Sequence, residues 1–121
     1  FDDVIDSGIL EKLKNSSITL GVVSNWDSRL HTILKGTGLA EYFDFILASA
    51  EVGSAKPDKK IFIEAIRRSG VKPAEVCHIG DDLRADIRGA NSVGIEAILI
   101  DRNSKHEKNS LATISSFQEL L

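Results

Sequence analysis

The stretch VCHIGDDLRADIRGA, residues 76–90, decides which fold this chain is expected to adopt. It begins with an apolar run typical of a buried strand, turns at a glycine and two aspartates, and continues with apolar residues at helical spacing. A strand, a turn and a helix in this order form one unit of a parallel α/β sheet. Ligands of open α/β sheets bind at the carboxyl ends of the strands, so the acidic turn is also a candidate binding site.

The same alternation of strand and helix extends outward from this stretch in both directions. Strands are predicted at 18–23, 43–48, 76–79 and 95–100, with a short one at 112–114, and helices at 5–15, 30–36, 57–70, 83–93 and after 115. Glycines end three of these helices, and residues 101–110 form a charged loop. The predicted fold class is therefore α/β, a Rossmann-like parallel sheet flanked by helices, in one domain over residues 1–121.

Composition narrows the range of partners and compartments. The 121 residues include 15 basic and 18 acidic side chains, a net charge of −3, which argues against binding to nucleic acid or to an anionic membrane through bulk charge. No apolar run approaches the roughly 18 residues of a membrane-spanning helix. The single cysteine, Cys77, excludes an internal disulfide and favours the cytoplasm or a reducing organelle. We expect Cys77 to be a buried packing residue and not a nucleophile.

A hydroxyl, an amide and an ammonium group follow the first two predicted strands. Ser24 and Asn25 come directly after the first strand, and Lys56 comes after the second strand and its loop. Hydroxyl and backbone N–H groups hold phosphoryl oxygens, and a lysine offsets their charge, so these residues are candidate phosphate ligands. Ser24 taken alone would more simply cap the helix that begins near Asp27, and Lys56 taken alone would be a solvated surface lysine.

Three carboxylates follow the third predicted strand. Asp81 and Asp82 form the turn, and Asp86 lies in the first turn of the next helix. Mg²⁺ takes one or two protein carboxylates and keeps several waters, so the set suits a magnesium site, with Asp81 as the ligand and Asp86 in support. Asp86 could instead pair with Lys56. The simpler interpretation of Asp81 and Asp82 is a turn and a helix cap, and Asp82 is the weaker ligand candidate.

Three ordered motifs resemble those of a known family. GVVSN at 21–25, KPD at 56–58 and HIGDDLRAD at 78–86 are similar to motifs two, three and four of the haloacid dehalogenase-like hydrolase superfamily, in the same order and at similar spacing. The resemblance implies a Mg²⁺-dependent phosphatase acting on a small phosphorylated substrate through a phosphoaspartate. It implies that Ser24 binds the phosphoryl group, Lys56 stabilises the phosphoaspartate, Asp81 binds Mg²⁺ and Asp86 supports that metal site.

The first motif of the family, Asp-x-Asp-x-Thr at the end of an apolar strand, is absent from the sequence. The resemblance places this nucleophile strand and a helical cap before Phe1, and it places the strand at the centre of the sheet, between the strands ending at Val23 and Ile79. A companion segment is therefore expected to supply the central strand, and the chain alone is predicted to be inactive. The alternative is a non-catalytic module that serves in binding or assembly.

Two other classes of site fit less well. A dinucleotide site needs Gly-x-Gly-x-x-Gly between a strand and a helix, but Gly36 and Gly38 follow a helix and Glu41 takes the third glycine position. A receiver domain would need a permuted chain, because its acidic pair comes first. His78 and Trp26 are interpreted as packing residues, His78 with a hydrogen bond in the core.

Overall fold

Parallel strands alternate with helices along residues 8–101 and 113–120, the part of the chain that the computed structural model describes. The strands are β1 (Gly21–Ser24), β2 (Phe45–Ala48), β3 (Cys77–Gly80), β4 (Glu96–Ile100) and β5 (Thr113–Ile114). The α-helices are α1 (Ile9–Asn15), α2 (Arg29–Gly36), α3 (Ser49–Val52), α4 (Lys59–Ser69) and α5 (Gly89–Asn91). A π-helical segment spans Leu83–Arg88, and short 3₁₀ turns span Ala40–Tyr42, Pro73–Glu75 and Phe117–Leu120.

The strands form two parallel sheets. Strand β1 pairs with β2, with Gly21 opposite Phe45, and the second sheet has the order β3-β4-β5, with Cys77 opposite Glu96. In the described residues, β1 and β3 share no ladder of hydrogen bonds. The predicted α/β class of parallel strands flanked by helices is confirmed. In the described residues β1 pairs only with β2, and β3 pairs only with β4.

Helix α4 joins the two sheets through the core. Ile61 and Phe62 of this helix are 0% and 1% exposed, and they pack with the buried Ala90 and Ile95. Val23 of β1, Val52 of α3 and Ala97 of β4 pack against the same cluster. Burial of a large apolar side chain stabilises a fold by roughly 1.5–3 kcal/mol, so this cluster fixes the sheets relative to each other.

A second apolar cluster lies under α2. It consists of Leu30, Leu34, Leu39 and Ala48, with Trp26 packed against it. Trp26 is thus the packing residue that the sequence predicts. No helix in the described part of the chain has the length and apolarity that crossing a bilayer requires.

The boundaries of several elements differ from the predictions. Strand β1 begins at Gly21 and not at Ile18, which is 45% exposed, because the Asp44 carboxylate accepts a hydrogen bond from the Leu20 N–H at 2.8 Å. The single helix predicted at 83–93 is a π-helical segment followed by α5. Gly70 and Gly94 have φ angles of 72° and 81° at helix ends, as their positions predict.

The expected burial of Cys77 is wrong. The residue is exposed because it begins β3 opposite the exposed Glu96, before the strand enters the core. Partial burial of the sulfur and the charge of Glu96 raise the pKa of the thiol, which keeps it protonated at neutral pH. Two other predictions, the helix over 5–7 and the loop over 102–110, lie outside the described residues.

Candidate active site

A buried ion pair joins the segment before α4 to the π-helical turn after β3. Lys56 Nζ donates to Asp86 Oδ1 at 2.5 Å, and the two side chains are only 12% and 5% exposed. This contact crosses from one sheet to the other. Lys56 is therefore not the solvated surface lysine of the simpler interpretation, and the alternative pairing of Asp86 with Lys56 is the one observed.

Asp86 is held by further contacts around its carboxylate. His78 Nε2 lies 2.9 Å from Asp86 Oδ1 and donates, since an ionised carboxylate only accepts. The backbone N–H of Asp82 donates to Asp86 Oδ2 at 3.2 Å. A Cβ at Gly80 would lie 2.1 Å from Asp86 Cγ, so the glycine at the end of β3 makes room for the carboxylate.

The electrostatics of the site favour an ionised Asp86. Burial raises the pKa of this carboxyl, but hydrogen bonds from His78 and Lys56 outweigh burial and lower the pKa from 3.8 to about 2. The carboxylate is therefore negative at neutral pH. It offsets the Lys56 charge in a region that water reaches poorly.

His78 is a contributor that sequence reasoning did not assign to the site. The prediction of a packed, hydrogen-bonded histidine is confirmed, because its ring lies edge-on to Phe62 with centroids 5.2 Å apart. Its bond to Asp86 was not foreseen. The available signal was the alternation of β3, which places His78 and Gly80 on the same face of the strand, with the acidic turn directly after it.

Asn25 uses both ends of its side-chain amide on Lys56. Its Oδ1 accepts from the Lys56 N–H at 2.8 Å, and its Nδ2 donates to the Lys56 carbonyl at 3.0 Å. These bonds connect the end of β1 to the residue that carries the ammonium group. The structure therefore brings Asn25, Lys56 and Asp86 together.

Ser24 is the last residue of β1 and stands next to this cluster in the chain. It does not cap α2, whose first residue is Arg29 and whose N-cap is Ser28. Among the described contacts its side chain makes no hydrogen bond, while its carbonyl accepts from Trp26 N–H at 3.0 Å. The hydroxyl at this strand end is available to a ligand.

The two aspartates of the acidic turn have different environments. Asp82 caps the π-helical segment, with Oδ1 accepting from Arg84 N–H at 2.9 Å and from Ala85 N–H at 2.7 Å. Asp81 is exposed and has no side-chain hydrogen bond within the described residues. The structure thus gives Asp82 the helix-cap role, and Asp81 is the exposed carboxylate that makes no side-chain hydrogen bond among the described residues.

The carboxylates of the described residues can supply only some of the ligands of a magnesium ion. In residues 8–101 and 113–120 no three His, Cys, Asp or Glu side chains converge as a metal cage. Asp81 and Asp82 are both exposed carboxylates, Asp82 with its Oδ1 engaged as a helix cap, and Asp86 is buried and bonded to Lys56. Mg²⁺ takes one or two protein carboxylates, keeps several waters and also binds substrate phosphate, so this oxygen set is compatible with it.

Comparison with known proteins agrees with the motifs. The model of the family described as haloacid dehalogenase-like hydrolase matches residues 2–100. A mouse protein named haloacid dehalogenase-like hydrolase domain-containing protein 3 is 45% identical over 91 residues, which cover 75% of this chain and 36% of the mouse protein. The chain thus spans about a third of the length of this relative.

Two solved structures share the fold. A HAD phosphatase from Thermococcus onnurineus superimposes with a TM-score of 0.86 at 38% identity, covering 92% of this chain and 52% of that one. A HAD hydrolase from Bacillus subtilis, whose crystal structure is described as bound to magnesium, gives a TM-score of 0.88 at 26% identity, covering 99% and 54%.

Proposed function

The chain belongs to the haloacid dehalogenase-like hydrolase family, and we propose that it supplies the phosphate-binding and metal-binding residues of a phosphatase. The observation that carries the proposal is the buried pair of Lys56 and Asp86, which joins the loop after β2 to the turn after β3. The Lys56 ammonium has three N–H donors and Asp86 accepts from one of them, so a lysine held at 12% exposure beside the strand ends can also bind an anion where ligands of α/β sheets bind. A phosphoryl group is the small anion that such a charge suits.

The phosphoryl oxygens are proposed to contact three groups of this chain. These are the Ser24 hydroxyl, the backbone N–H of Asn25 and the Lys56 ammonium. The hydroxyl has no partner among the described contacts, and the ammonium is oriented by Asp86 at 2.5 Å. Preorganised donors of this kind stabilise charge that develops on phosphoryl oxygens during transfer, because they need no reorientation as the reaction proceeds.

The proposed cofactor is Mg²⁺, with Asp81 as its protein ligand from this chain and Asp86 in support. When bound, the ion would offset phosphate charge and orient the substrate. The Asp86 carboxylate would support the site through its neighbours and not as a direct ligand, since Lys56, His78 and the Asp82 N–H already bond to its oxygens. Asp82 contributes by capping the turn that presents Asp81. The solved relative described as bound to magnesium supports this choice of ion.

The nucleophile is proposed to come from a strand between β1 and β3, supplied by a preceding or companion segment. In the described residues β1 and β3 share no ladder of hydrogen bonds, which supports the proposal of a strand between them. An aspartate at its carboxyl end would attack phosphorus and release the alcohol, and water would then cleave the phosphoaspartate. The domain would thus be the C-terminal part of a complete core, with its helical cap also upstream.

The substrate is proposed to be a small phosphorylated metabolite. The Thermococcus relative is a phosphatase by name, which supports the reaction type and not a particular substrate.

The proposed compartment is the cytoplasm or another reducing compartment. The one cysteine of the chain is exposed and forms no disulfide, which supports this location.

Calorimetric titration of the chain with inorganic phosphate in Mg²⁺ tests the proposal. Lys56→Ala should weaken phosphate binding at least about tenfold, roughly 1.4 kcal/mol. Lys59→Ala is the matched control, because it removes an exposed lysine three residues away and should leave the affinity unchanged. Equal affinities in the wild-type chain and the Lys56 variant would refute the assignment. Binding without turnover after a nucleophile strand is supplied would favour a non-catalytic binding module.

A further inference from the structure

Asn25 is bonded to the backbone of Lys56 through both ends of its side-chain amide. The Lys56 N–H donates to Oδ1 at 2.8 Å, and Nδ2 donates to the Lys56 carbonyl at 3.0 Å. This pairing reproduces, with one side chain, the donor and acceptor pattern of a β ladder. It links residues 31 positions apart in the chain.

The orientation of this amide is determined by its partners. Turning it over would place Nδ2 against an N–H and Oδ1 against a carbonyl oxygen, which loses both bonds. Asparagine is suited to the position because it combines one donor and one acceptor at the required length. Aspartate offers only acceptors, and glutamine is longer by one methylene group.

Lys56 is consequently fixed at both ends. Asn25 holds its backbone, and Asp86 accepts from its ammonium group at 2.5 Å. A flexible side chain loses most of its rotamer freedom under such constraints, so the ammonium keeps one position relative to the strand ends. Any displacement of the backbone at residue 56 would move that charge or break the pair with Asp86.

We propose that Asn25 is a positioning residue whose side chain acts on bound phosphate through Lys56, and not by contacting the phosphate itself. The proposal rests on the proposed function, since it takes Lys56 as the phosphate-binding cation. It refines the expectation that Asn25 is a phosphate ligand: the contact it contributes is its backbone N–H, while its amide sets the place of the lysine.

A double-mutant cycle separates positioning from direct contact. Inorganic phosphate in Mg²⁺ is titrated calorimetrically into the full chain as wild type, Asn25→Ala, Lys56→Ala and the double variant. Groups in one hydrogen-bonded network are energetically coupled, so Asn25→Ala alone should weaken binding on the order of tenfold. With Lys56→Ala already present, it should change the affinity less than about twofold, because there is no ammonium left to position. If the affinity of the double variant fell by the product of the two single-variant factors, the proposal would be overturned.

Asn25→Gln keeps the proposal testable if the alanine variant fails to fold. Glutamine retains a neutral amide that could still contact phosphate, but its length does not fit the two bonds to the Lys56 backbone. Positioning predicts that glutamine weakens phosphate binding as alanine does. Wild-type affinity in the glutamine variant would overturn it.

Hydrogen exchange tests, without any ligand, whether the Asn25 side chain holds the Lys56 backbone. The Lys56 amide should be protected in the wild-type chain and should exchange much faster in Asn25→Ala. The Asp58 amide, which donates to the Ala55 carbonyl at 2.9 Å, should keep its protection and shows that the loop is intact. Unchanged protection of Lys56 would overturn the proposal. A wild-type chain that does not bind phosphate would instead overturn the proposed function, while the exchange result still decides whether Asn25 holds Lys56.

Discussion

Replacement of Asp86 by asparagine should destabilise the chain more than any conservative change at an exposed carboxylate. Asp86 is 3% exposed and accepts from Lys56, His78 and the Asp82 N–H. An asparagine presents one oxygen and one NH₂ group to these three donors. At least one donor then faces the NH₂ group, and the Lys56 charge is left without its counterion.

The lowered pKa of Asp86 indicates the order of magnitude of the effect on stability. Burial raises this pKa and the bonds from His78 and Lys56 lower it, with a net change from 3.8 to about 2. Each pKa unit corresponds to about 1.4 kcal/mol, so the ionised carboxylate stabilises the fold by about 2 kcal/mol at pH 7. Removing one partner of a buried pair costs roughly 3–5 kcal/mol, which sets the upper limit.

The sign of the pH dependence follows from the lowered pKa. The stabilisation is fully present above the unfolded-state value near 4 and is lost as the pH falls through the folded-state value near 2. The difference in unfolding free energy between wild type and Asp86→Asn should therefore be about 2 kcal/mol or more at pH 7. At pH 3 this difference should be smaller by about 1 kcal/mol.

Urea unfolding followed by circular dichroism at pH 7 and pH 3 measures this difference. Asp81→Asn is the matched control, since Asp81 is an exposed aspartate in the same turn, and it should change stability by less than about 0.5 kcal/mol at pH 7. Unfolding of Asp86→Asn at the wild-type urea concentration would show that the Asp86 carboxylate does not stabilise the fold. A difference that stayed constant between the two pH values would contradict the lowered pKa.

Three further changes test neighbouring parts of the site. Gly80→Ala places a Cβ 2.1 Å from Asp86 Cγ and should cost roughly 1–3 kcal/mol in urea unfolding; wild-type stability would show that the carboxylate is not held there. His78→Phe keeps an aromatic ring beside Phe62 but removes the bond to Asp86, and it should lower thermal stability by roughly 1.5–3 kcal/mol, a loss that equal melting temperatures would contradict. With the upstream strand supplied, Asp81→Asn should raise the Mg²⁺ concentration needed for half-maximal phosphatase activity, and an unchanged Mg²⁺ dependence would argue against Asp81 as a ligand.

Sequence patterns predicted the fold because apolar periodicity and helix-ending glycines are local properties. The strands predicted at 43–48 and 95–100, which the structure has at Phe45–Ala48 and Glu96–Ile100, and the helix ends at Gly70 and Gly94 depend on residues near them in the chain. The start of β1 was misplaced because the side chain of Asp44, more than 20 residues away, binds Leu20 N–H before the ladder begins.

The sequence predicts which residue types form the candidate site, but not which of them hydrogen-bond to one another. Parallel strands bring their carboxyl ends together, which is why Lys56 and Asp86 could be expected near one another. The pairing of the Asn25 amide with the Lys56 backbone depends on the distance between two loops, and no sequence spacing encodes that distance. The contact of His78 with Asp86 depends in the same way on the room that Gly80 leaves.

Hydrolysis of p-nitrophenyl phosphate in Mg²⁺ shows whether this chain supplies the phosphate- and metal-binding part of a phosphatase. It is measured for the chain alone and for the chain joined to a segment that supplies an apolar strand ending in Asp-x-Asp-x-Thr. The chain alone should show no turnover, and the joined form should show turnover that Lys56→Ala abolishes and Lys59→Ala preserves. Turnover by the chain alone that Lys56→Ala abolishes would contradict the proposed function, as would a folded joined form that binds Mg²⁺ and phosphate but does not hydrolyse the ester.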